Sequence, residues 1–370
     1  MPTPVKTDLY YIHLFNDYSG SPRVLRDAID SEVHCAKNSY VFTSKHPGFL
    51  DDVNAKRVRC FYARSDNRYL QLCYFLIAQV LLFIQLFGYL LLGKVKGRQS
   101  TVLINTMLPF GAAAASKLLA KKVIYYVHET YIQPEALKRF LRFFIEHCAS
   151  HVIFVSQYLS QQEAFKKPMQ NVIYNGLRSD FSVNNNLDFV AKFAGKKLFF
   201  AGSLKRYKGI EKLVELARVL PDFNVIAALN CQPSELDRFK AEVEPPNNMT
   251  FIIRPANIQQ YFASSFLVLN LSSVDHCVET FGLSLIEGMA FATPVIAPPF
   301  GGPTEFVTKK NGALISAEQV GEIVKFIRHL NSSEKVWRSY ANDAYLTAKS
   351  FSAEQYKQSF KSYFEQHNLL

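Results

Sequence analysis

The sequence predicts an α/β protein of two domains, each with a parallel sheet, and three observations carry that reading. The chain has 370 residues, long for one core, and its 49% hydrophobic and 20% charged residues can fill two ordinary cores. Short runs rich in Val, Ile, Tyr and Phe alternate with longer stretches of helical period, as in strands covered on both faces by helices. A polar stretch, 182–195, which includes Asn184, Asn185 and Asn186, separates the halves and reads as a linker. The expected divisions are 1–181 for the first domain, 196–350 for the second and 351–370 for a closing helix.

The first strand is expected at 8–14 (DLYYIHL), running through Asn16, Asp17, Ser19, Gly20 and Pro22 into a helix that begins near Arg23. This is a strand, small-residue loop and helix without the G-x-G-x-x-G of dinucleotide sites. Further strands are expected at 39–44, 58–63, 100–105, 123–127, 151–155 and 172–174, with helices such as 109–120 and 134–147 between them. His128 follows the strand VIYYV and so stands at a strand's C-terminal end, where open α/β sheets hold ligands. Residues 70–93 are apolar for long enough to cross a bilayer by length alone. A span there would place strands of one sheet in different compartments, and Gln71, Gln79 and Gln85 trace a faint polar stripe. The preferred reading is a long helix partly buried on the sheet and partly facing lipid or a partner.

The second half opens with a strand at 197–201, a turn at Gly202 and a helix over 209–220. Strands at 224–229, 249–253 and 266–271 complete its sheet, and helices follow at 317–330 and 334–349. Ser350 to Tyr356 reads as a serine cap with apolar spacing after it. The most informative run is 279–302, ETFGLSLIEGMAFATPVIAPPFGG. A helix begins after Phe281 and Gly282, with Leu283, Ile286, Met289 and Ala290 at a 3.6-residue period. Its first N–H groups and positive dipole end make a seat for phosphate. Glu279 and Glu287 stand eight positions apart across the turn. Carboxylates bind hydroxyls, and a nucleotide-sugar offers hydroxyls and a diphosphate together. A short buried strand, 294–297, and the Gly301-Gly302 turn close the run.

This stretch resembles the E-x7-E signature of retaining glycosyltransferases of the GT-B fold, above all glycosyltransferase family 4 (group 1), including TPVIA and the double glycine with Glu305 beyond it. The turn GSLKRYKG, 202–209, resembles the family's G-R-x(4)-K-G phosphate-binding segment. Lys208 falls on the lysine, Ser203 stands at the arginine position, and Arg206 is the candidate replacement through its long bidentate fork. The likeness is strong over 172–312 and one of layout elsewhere. It implies two facing Rossmann-like domains, a closing helix that crosses back to the first, and sugar transfer from a nucleotide-sugar donor with retention of configuration. It implies no cofactor beyond that co-substrate. It also implies a role at the transferred sugar for Glu279, His128 and the amides of Phe281, Gly282 and Leu283, and at the ribose for Glu287. Ser203, Arg206 and Lys208 would meet the diphosphate, and Gly20 and Arg23 would lie in a loop facing donor and acceptor. No D-x-D occurs, the pair that metal-dependent transferases of the other major fold use, so no metal is expected.

Net charge is +11 and lies mostly in the first half, where residues 1–184 carry 22 Lys and Arg against 13 Asp and Glu. Without a zinc finger, RNA-recognition signature or long basic block, nucleic acid is not the expected partner. The six cysteines lack C-x-x-C or zinc spacing, and residues 1–6 lack the apolar core of a signal peptide, which suits free thiols in the cytosol. The basic balance and the run 70–93 predict docking on an anionic membrane surface at its cytoplasmic face. The segment KRFLRFFIEH adds to this, with Phe140, Leu141, Phe144 and Ile145 on one face beside Lys138, Arg139 and Arg142. The expected acceptor is then a lipid-linked saccharide. Two other readings stand beside this one: a nucleotide-sugar epimerase of the same fold, and a non-catalytic membrane-binding module, for which Ser203 in the arginine position is the hint.

Overall fold

The computed structural model describes residues 7–31, 36–181, 187–273 and 278–369. Residues 1–6, Cys35, Cys277 and residues 182–186 of the expected linker lie outside them. The chain divides into two units, Met1–Asn175 with Glu354–Leu370, and Gly176–Ala353.

Unit 1 is a sheet of seven parallel strands, β1 (Thr7–Ile12), β2 (Ala36–Ser44), β3 (Lys56–Cys60), β4 (Gln99–Asn105), β5 (Lys122–Val127), β6 (His151–Phe154) and β7 (Met169–Val172), in the order β3-β2-β1-β4-β5-β6-β7. Helices α1 (Gly20–Asp30), α2 (Arg68–Val95), α3 (Phe110–Leu119), α4 (Glu135–Cys148) and α5 (Gln157–Gln162) join them. Leu9, Tyr10, Tyr11 and Ile12 of β1 are all buried, as a central parallel strand requires. Strand order reverses between β1 and β4, so the chains leaving these two strands part and leave a crevice at their C-terminal ends.

Helix α2 links β3 to β4 of the same sheet and lies along it. Phe75, Ala78, Leu82, Leu86 and Leu90 form its inner face. The three glutamines fasten it. Gln71 Oε1 accepts from the Ser65 N–H at 2.9 Å, Gln79 Oε1 accepts from the Gly111 N–H at 2.8 Å, and Gln85 Nε2 donates to the Arg59 carbonyl at 3.1 Å. The outer face is bare, with Leu76, Ile77, Val80, Ile84, Leu91 and Val95 exposed. Helix α4 differs from the expected interfacial helix. Leu141 and Ile145 are buried in unit 1, and Phe140 and Phe144 pack on Phe110. Lys138 lies 2.6 Å from the buried Glu163 carboxylate, which Arg142 also pairs with, so two of the three bases are neutralised there.

Unit 2 is a sheet of six parallel strands, β8 (Lys197–Ser203), β9 (Asn224–Asn230), β10 (Met249–Ile253), β11 (Leu267–Leu269), β12 (Val295–Ala297) and β13 (Gly312–Leu314), in the order β10-β9-β8-β11-β12-β13. Its helices are α6 (Phe189–Gly195), α7 (Ile210–Val219), α8 (Pro233–Val243), α9 (Gln259–Ser264), α10 (Leu283–Ala290), α11 (Val320–Asn331) and α12 (Glu334–Lys349). The core includes Leu198, Phe200, Leu213, Phe266, Leu269 and Ile296 around a fully buried Trp337, whose Nε1–H donates to the Phe266 carbonyl at 2.8 Å.

The expected linker is corrected by α6. Phe189 and Phe193, four residues apart, pack on Trp337, and the Asp188 side chain caps the helix by accepting from the Ala191 N–H at 2.9 Å. The boundary also shifts from 181 to 175, because the Leu177 N–H donates to the Phe351 carbonyl at 2.8 Å within unit 2. The last helix, α13 (Ala353–Gln366), belongs to unit 1. There the Tyr356 and Tyr126 hydroxyls lie 3.4 Å apart, the Tyr363 ring meets His151, and Thr101 donates to the Leu369 carbonyl.

Lys192 of α6 is buried with no carboxylate partner among the described residues, its ammonium donating to the carbonyls of Phe291 and Ala292 and, at 2.8 Å, to the Thr293 hydroxyl. Burial pulls its pKa from 10.5 down to about 7. Below about pH 7 both folded and unfolded lysines are protonated; between 7 and 10.5 the unfolded chain holds the extra proton. Stability of unit 2 therefore rises with pH across that window, by at most about 1.4 kcal/mol per pH unit. Lys192→Met should flatten this part of the profile. Urea unfolding of both proteins from about pH 6 to 9 checks it, and equal slopes would remove the assignment.

Candidate active site

In unit 2 the strand order reverses between β8 and β11, and the chemistry-bearing side chains gather at the C-terminal ends of these two strands. Lys208 follows β8 in a single 3-10 turn, Arg206–Lys208. Asn270 and Ser272 follow β11. Glu279 comes next along the described chain, ahead of α10. Lys208 Nζ lies 2.9 Å from Glu279 Oε2, Asn270 Nδ2 donates to the same oxygen at 3.0 Å, and Ser272 Oγ lies 3.5 Å from it. Among the described residues, all three contacts fall on Oε2. Burial by itself would raise the Glu279 pKa; Lys208 and the hydrogen bonds from Asn270, Lys208 and Ser272 outweigh it and hold the carboxyl below its ordinary value. Glu279 is therefore an anion, 18% exposed, beside the Lys208 ammonium.

Two glycines make this approach possible. Gly209 has φ +81°, and a Cβ there would lie 2.2 Å from the Leu271 carbonyl oxygen, so the chain leaving β8 passes directly against the chain leaving β11. Gly301 has φ +85°, and a Cβ there would lie 2.3 Å from the Glu279 carbonyl oxygen, which also accepts from the Gly302 N–H at 2.9 Å. The double glycine thus clasps the backbone that carries Glu279.

The other expected residues are placed as follows. Gly282, φ +99°, is the N-cap of α10 and Leu283 its first residue. Phe281 is buried against Phe306 and Phe351, so only its backbone can face a ligand. Leu285 takes the buried place that Leu283 was expected to fill, and Glu287 is buried in the middle of the same helix. Ser203 ends β8, its carbonyl accepting from the Lys205 N–H at 2.9 Å. Arg206 is 70% exposed and pairs with Glu211 at 3.3 Å and with Glu242, so its fork is directed at carboxylates.

In unit 1, Gly20 opens α1, and Arg23 is buried on that helix 3.7 Å from Asp27. His128 follows β5, and its Nε2 lies 2.7 Å from Asn105 Oδ1. Burial, aided by His13, lowers the His128 pKa to about 3, so the ring is neutral at pH 7. Glu129 accepts from the N–H groups of His128 at 3.0 Å and Met107 at 3.2 Å, tying the end of β5 to the end of β4. Thr106 beside it has φ +75°, a strained backbone for a β-branched residue. Sequence reasoning missed Asn270, Ser272, His13, Asn105 and Glu129. The one signal available was a polar residue closing an apolar strand run, which gains meaning only with the strand order.

Residues 188–347 match the glycosyl transferases group 1 family. The D-inositol 3-phosphate glycosyltransferase of Mycolicibacterium smegmatis is 28% identical over 134 residues, 34% of this chain and 30% of that protein. Its counterpart in Mycobacterium bovis is 29% identical over 138 residues, 35% and 28% of the two chains. The match to this chain thus spans less than a third of the length of these curated relatives. By structure, the chain is similar to Anabaena HepE in complex with UDP and glucose, with a TM-score of 0.79 at 18% identity over 97% of this chain and 99% of that one. It is also similar to the sucrose-phosphate synthase of Thermosynechococcus elongatus, with a TM-score of 0.78 at 15% identity over 98% and 99%. Residues 188–347 are thus similar to the glycosyl transferases group 1 family, in a chain with the GT-B fold.

Proposed function

We propose that the chain is a glycosyltransferase that moves a sugar from a nucleotide-sugar donor to a lipid-linked saccharide acceptor, with retention of configuration, at the cytoplasmic face of a membrane. The observation that carries the transferase reading is the Lys208, Glu279 and Asn270 cluster at the switch point of a group 1 domain, beside the N-terminus of α10. Lys208 and the α10 amides meet the diphosphate as its charge develops. Glu279 Oε1 accepts from a hydroxyl of the transferred sugar, and Glu287 serves the nucleotide's ribose. The acceptor hydroxyl loses its proton to the donor's own phosphate oxygen as it attacks from the same face, so the enzyme need supply no base. The neighbour HepE, solved with UDP and glucose, supports a nucleotide-sugar donor. The bare face of α2, with Arg68, Lys94 and Lys96 at its two ends, supports an anionic membrane and a lipid-borne acceptor.

Incubation with a panel of labelled nucleotide-sugars tests the reading. A transferase releases free nucleoside diphosphate slowly without acceptor, an epimerase returns an isomeric nucleotide-sugar, and a binding module does neither. Arg206 is proposed to stand in for the family arginine absent at Ser203. Its exposed ion pairs exchange at small cost, since each is worth about 0 to 1 kcal/mol. Arg206→Ala should then weaken UDP binding by up to about tenfold, and adding Ser203→Arg should restore part of it. Unchanged affinity by calorimetry would leave the diphosphate to Lys208 and the helix amides.

A further inference from the structure

The loops leaving β1, β2 and β3 in unit 1 meet around one aromatic ring. The Arg64 guanidinium carbon lies 3.6 Å from the centroid of the Phe15 ring, and the His46 and Tyr62 rings pack on Phe15 at 4.9 and 5.3 Å. Stacking fixes the guanidinium plane and leaves its N–H edge open to a ligand. The backbone under His46 is held by the buried Asn16, which donates to the His46 carbonyl at 2.9 Å and to Asp51 Oδ1 at 3.0 Å and accepts from the Leu50 N–H at 3.0 Å. Arg57 is committed to Asp51 at 2.6 Å and to the Ser44 carbonyl at 2.7 Å. Arg64 and Lys45 are not committed in this way, and among the described residues no carboxylate pairs with either. Burial lowers the His46 pKa, and Arg64 and Lys45 lower it further, so the three basic groups face one another.

Arg64 also lines a cavity of about 250 Å³, together with Tyr62, Ser65, Asp66 and Gln71. Gln71 Oε1 is taken by the Ser65 N–H at 2.9 Å, so its NH2 group is left to donate. Asp66 pairs with no cation among the described residues. We propose that this is a subsite for a phosphorylated saccharide, in which Arg64, His46 and Lys45 take the phosphate while Asp66 and Gln71 take sugar hydroxyls. It rests on the transferase reading above and names the class of the acceptor. The sugar accepted carries a phosphate, either as a free sugar phosphate or as the group that links it to a lipid. The three basic side chains come from two loops, which suits a tetrahedral oxyanion better than a planar carboxylate. Asp66 supplies the selectivity, since it disfavours a bare anion and favours one that brings hydroxyls with it.

Histidine labelled with 15N in the ring gives a reporter within unit 1, the His46 signals being identified by their loss in His46→Gln. On the full chain at pH 7, glucose 1-phosphate should shift them saturably, inorganic phosphate should do so more weakly, and methyl glucoside should not. Arg64→Gln should weaken glucose 1-phosphate by about 10- to 100-fold, as expected for a lost hydrogen bond to a charged group. Lys208→Ala should titrate like the parent, and loss of the response there would place the anion in unit 2 and overturn the proposal. An Arg64→Gln titration equal to the parent's, or equal responses to methyl glucoside and glucose 1-phosphate, overturns it as well. Dihexanoyl phosphatidylglycerol separates the two sources. Binding tighter than glucose 1-phosphate and lost in Arg64→Gln supports a lipid-borne phosphate, and weaker binding supports a free sugar phosphate. A donor panel that succeeds while no phosphate binds here would remove this subsite alone. A panel that fails while phosphate binds would remove its acceptor role together with the transferase reading.

Discussion

Glu279→Ala and Lys208→Ala should each lower transfer by about 10² to 10³ while the fold survives. Both side chains are partly exposed at strand ends of unit 2, and neither fills a core position, so unfolding by urea should change little. The reason for so large an effect lies in the shared oxygen. Lys208 balances a carboxylate that burial would otherwise push toward protonation, and Asn270 fixes its direction. Removing the lysine takes a cation from the diphosphate and at the same time weakens the anion that holds the sugar. The two losses should therefore add to less than their sum when the substitutions are combined. Product formation from the donor identified by the panel is the measurement, and near-normal turnover in either single variant would end the site assignment. Asn270→Ala should fall between parent and Glu279→Ala.

A triple substitution on α2, Leu76→Asp, Val80→Asp and Ile84→Asp, should abolish sedimentation with anionic vesicles. These residues lie on the bare outer face, four positions apart, while Phe75, Ala78, Leu82 and Leu86 are buried on the inner face. Each apolar side chain buried in lipid contributes about 1.5 to 3 kcal/mol, so losing three weakens binding by at least about 10³. Basic residues near the surface add about 1 kcal/mol each, and salt screens that part. For the parent, recovery should need anionic lipid and fall as salt rises, with an apolar remainder that salt does not remove. Equal recovery of parent and triple variant would show that α2 is not the docking face. Parent protein that resists alkaline carbonate extraction would mean that α2 inserts instead of lying on the surface.

Most strands were legible because a buried parallel strand must be an apolar run, and residues 123–127 or 151–155 offer no other use for so many branched and aromatic side chains. Strand β7 was displaced to 172–174 because Met169, Gln170 and Asn171 face solvent and carry no apolar signal. Helix α6 was hidden by its own capping chemistry. Asp188 and Lys192 look like linker residues until one is seen accepting from a helix N–H and the other buried among carbonyls. Glu279 and Lys208 were legible through local pattern, since each lies in a turn whose glycines are needed for close backbone approach. Asn105 and Asn270 were not. Each ends a strand as an unremarkable polar residue, and each acquires a partner only when strand order brings a distant loop beside it.

Helix α13 sets the order in which the chain can complete itself during synthesis. The second unit is one continuous segment, Gly176–Ala353, and everything it needs has emerged before the last helix leaves the ribosome. The first unit, although translated first, must wait for Glu354–Leu370 before Thr101, Tyr126 and His151 are covered. The usual rule, that the N-terminal domain finishes first on the nascent chain, is inverted here. While translation continues, the first sheet stands incomplete with the apolar face of α2 already outside the tunnel. That interval is when a holding chaperone has its best opportunity to bind this protein.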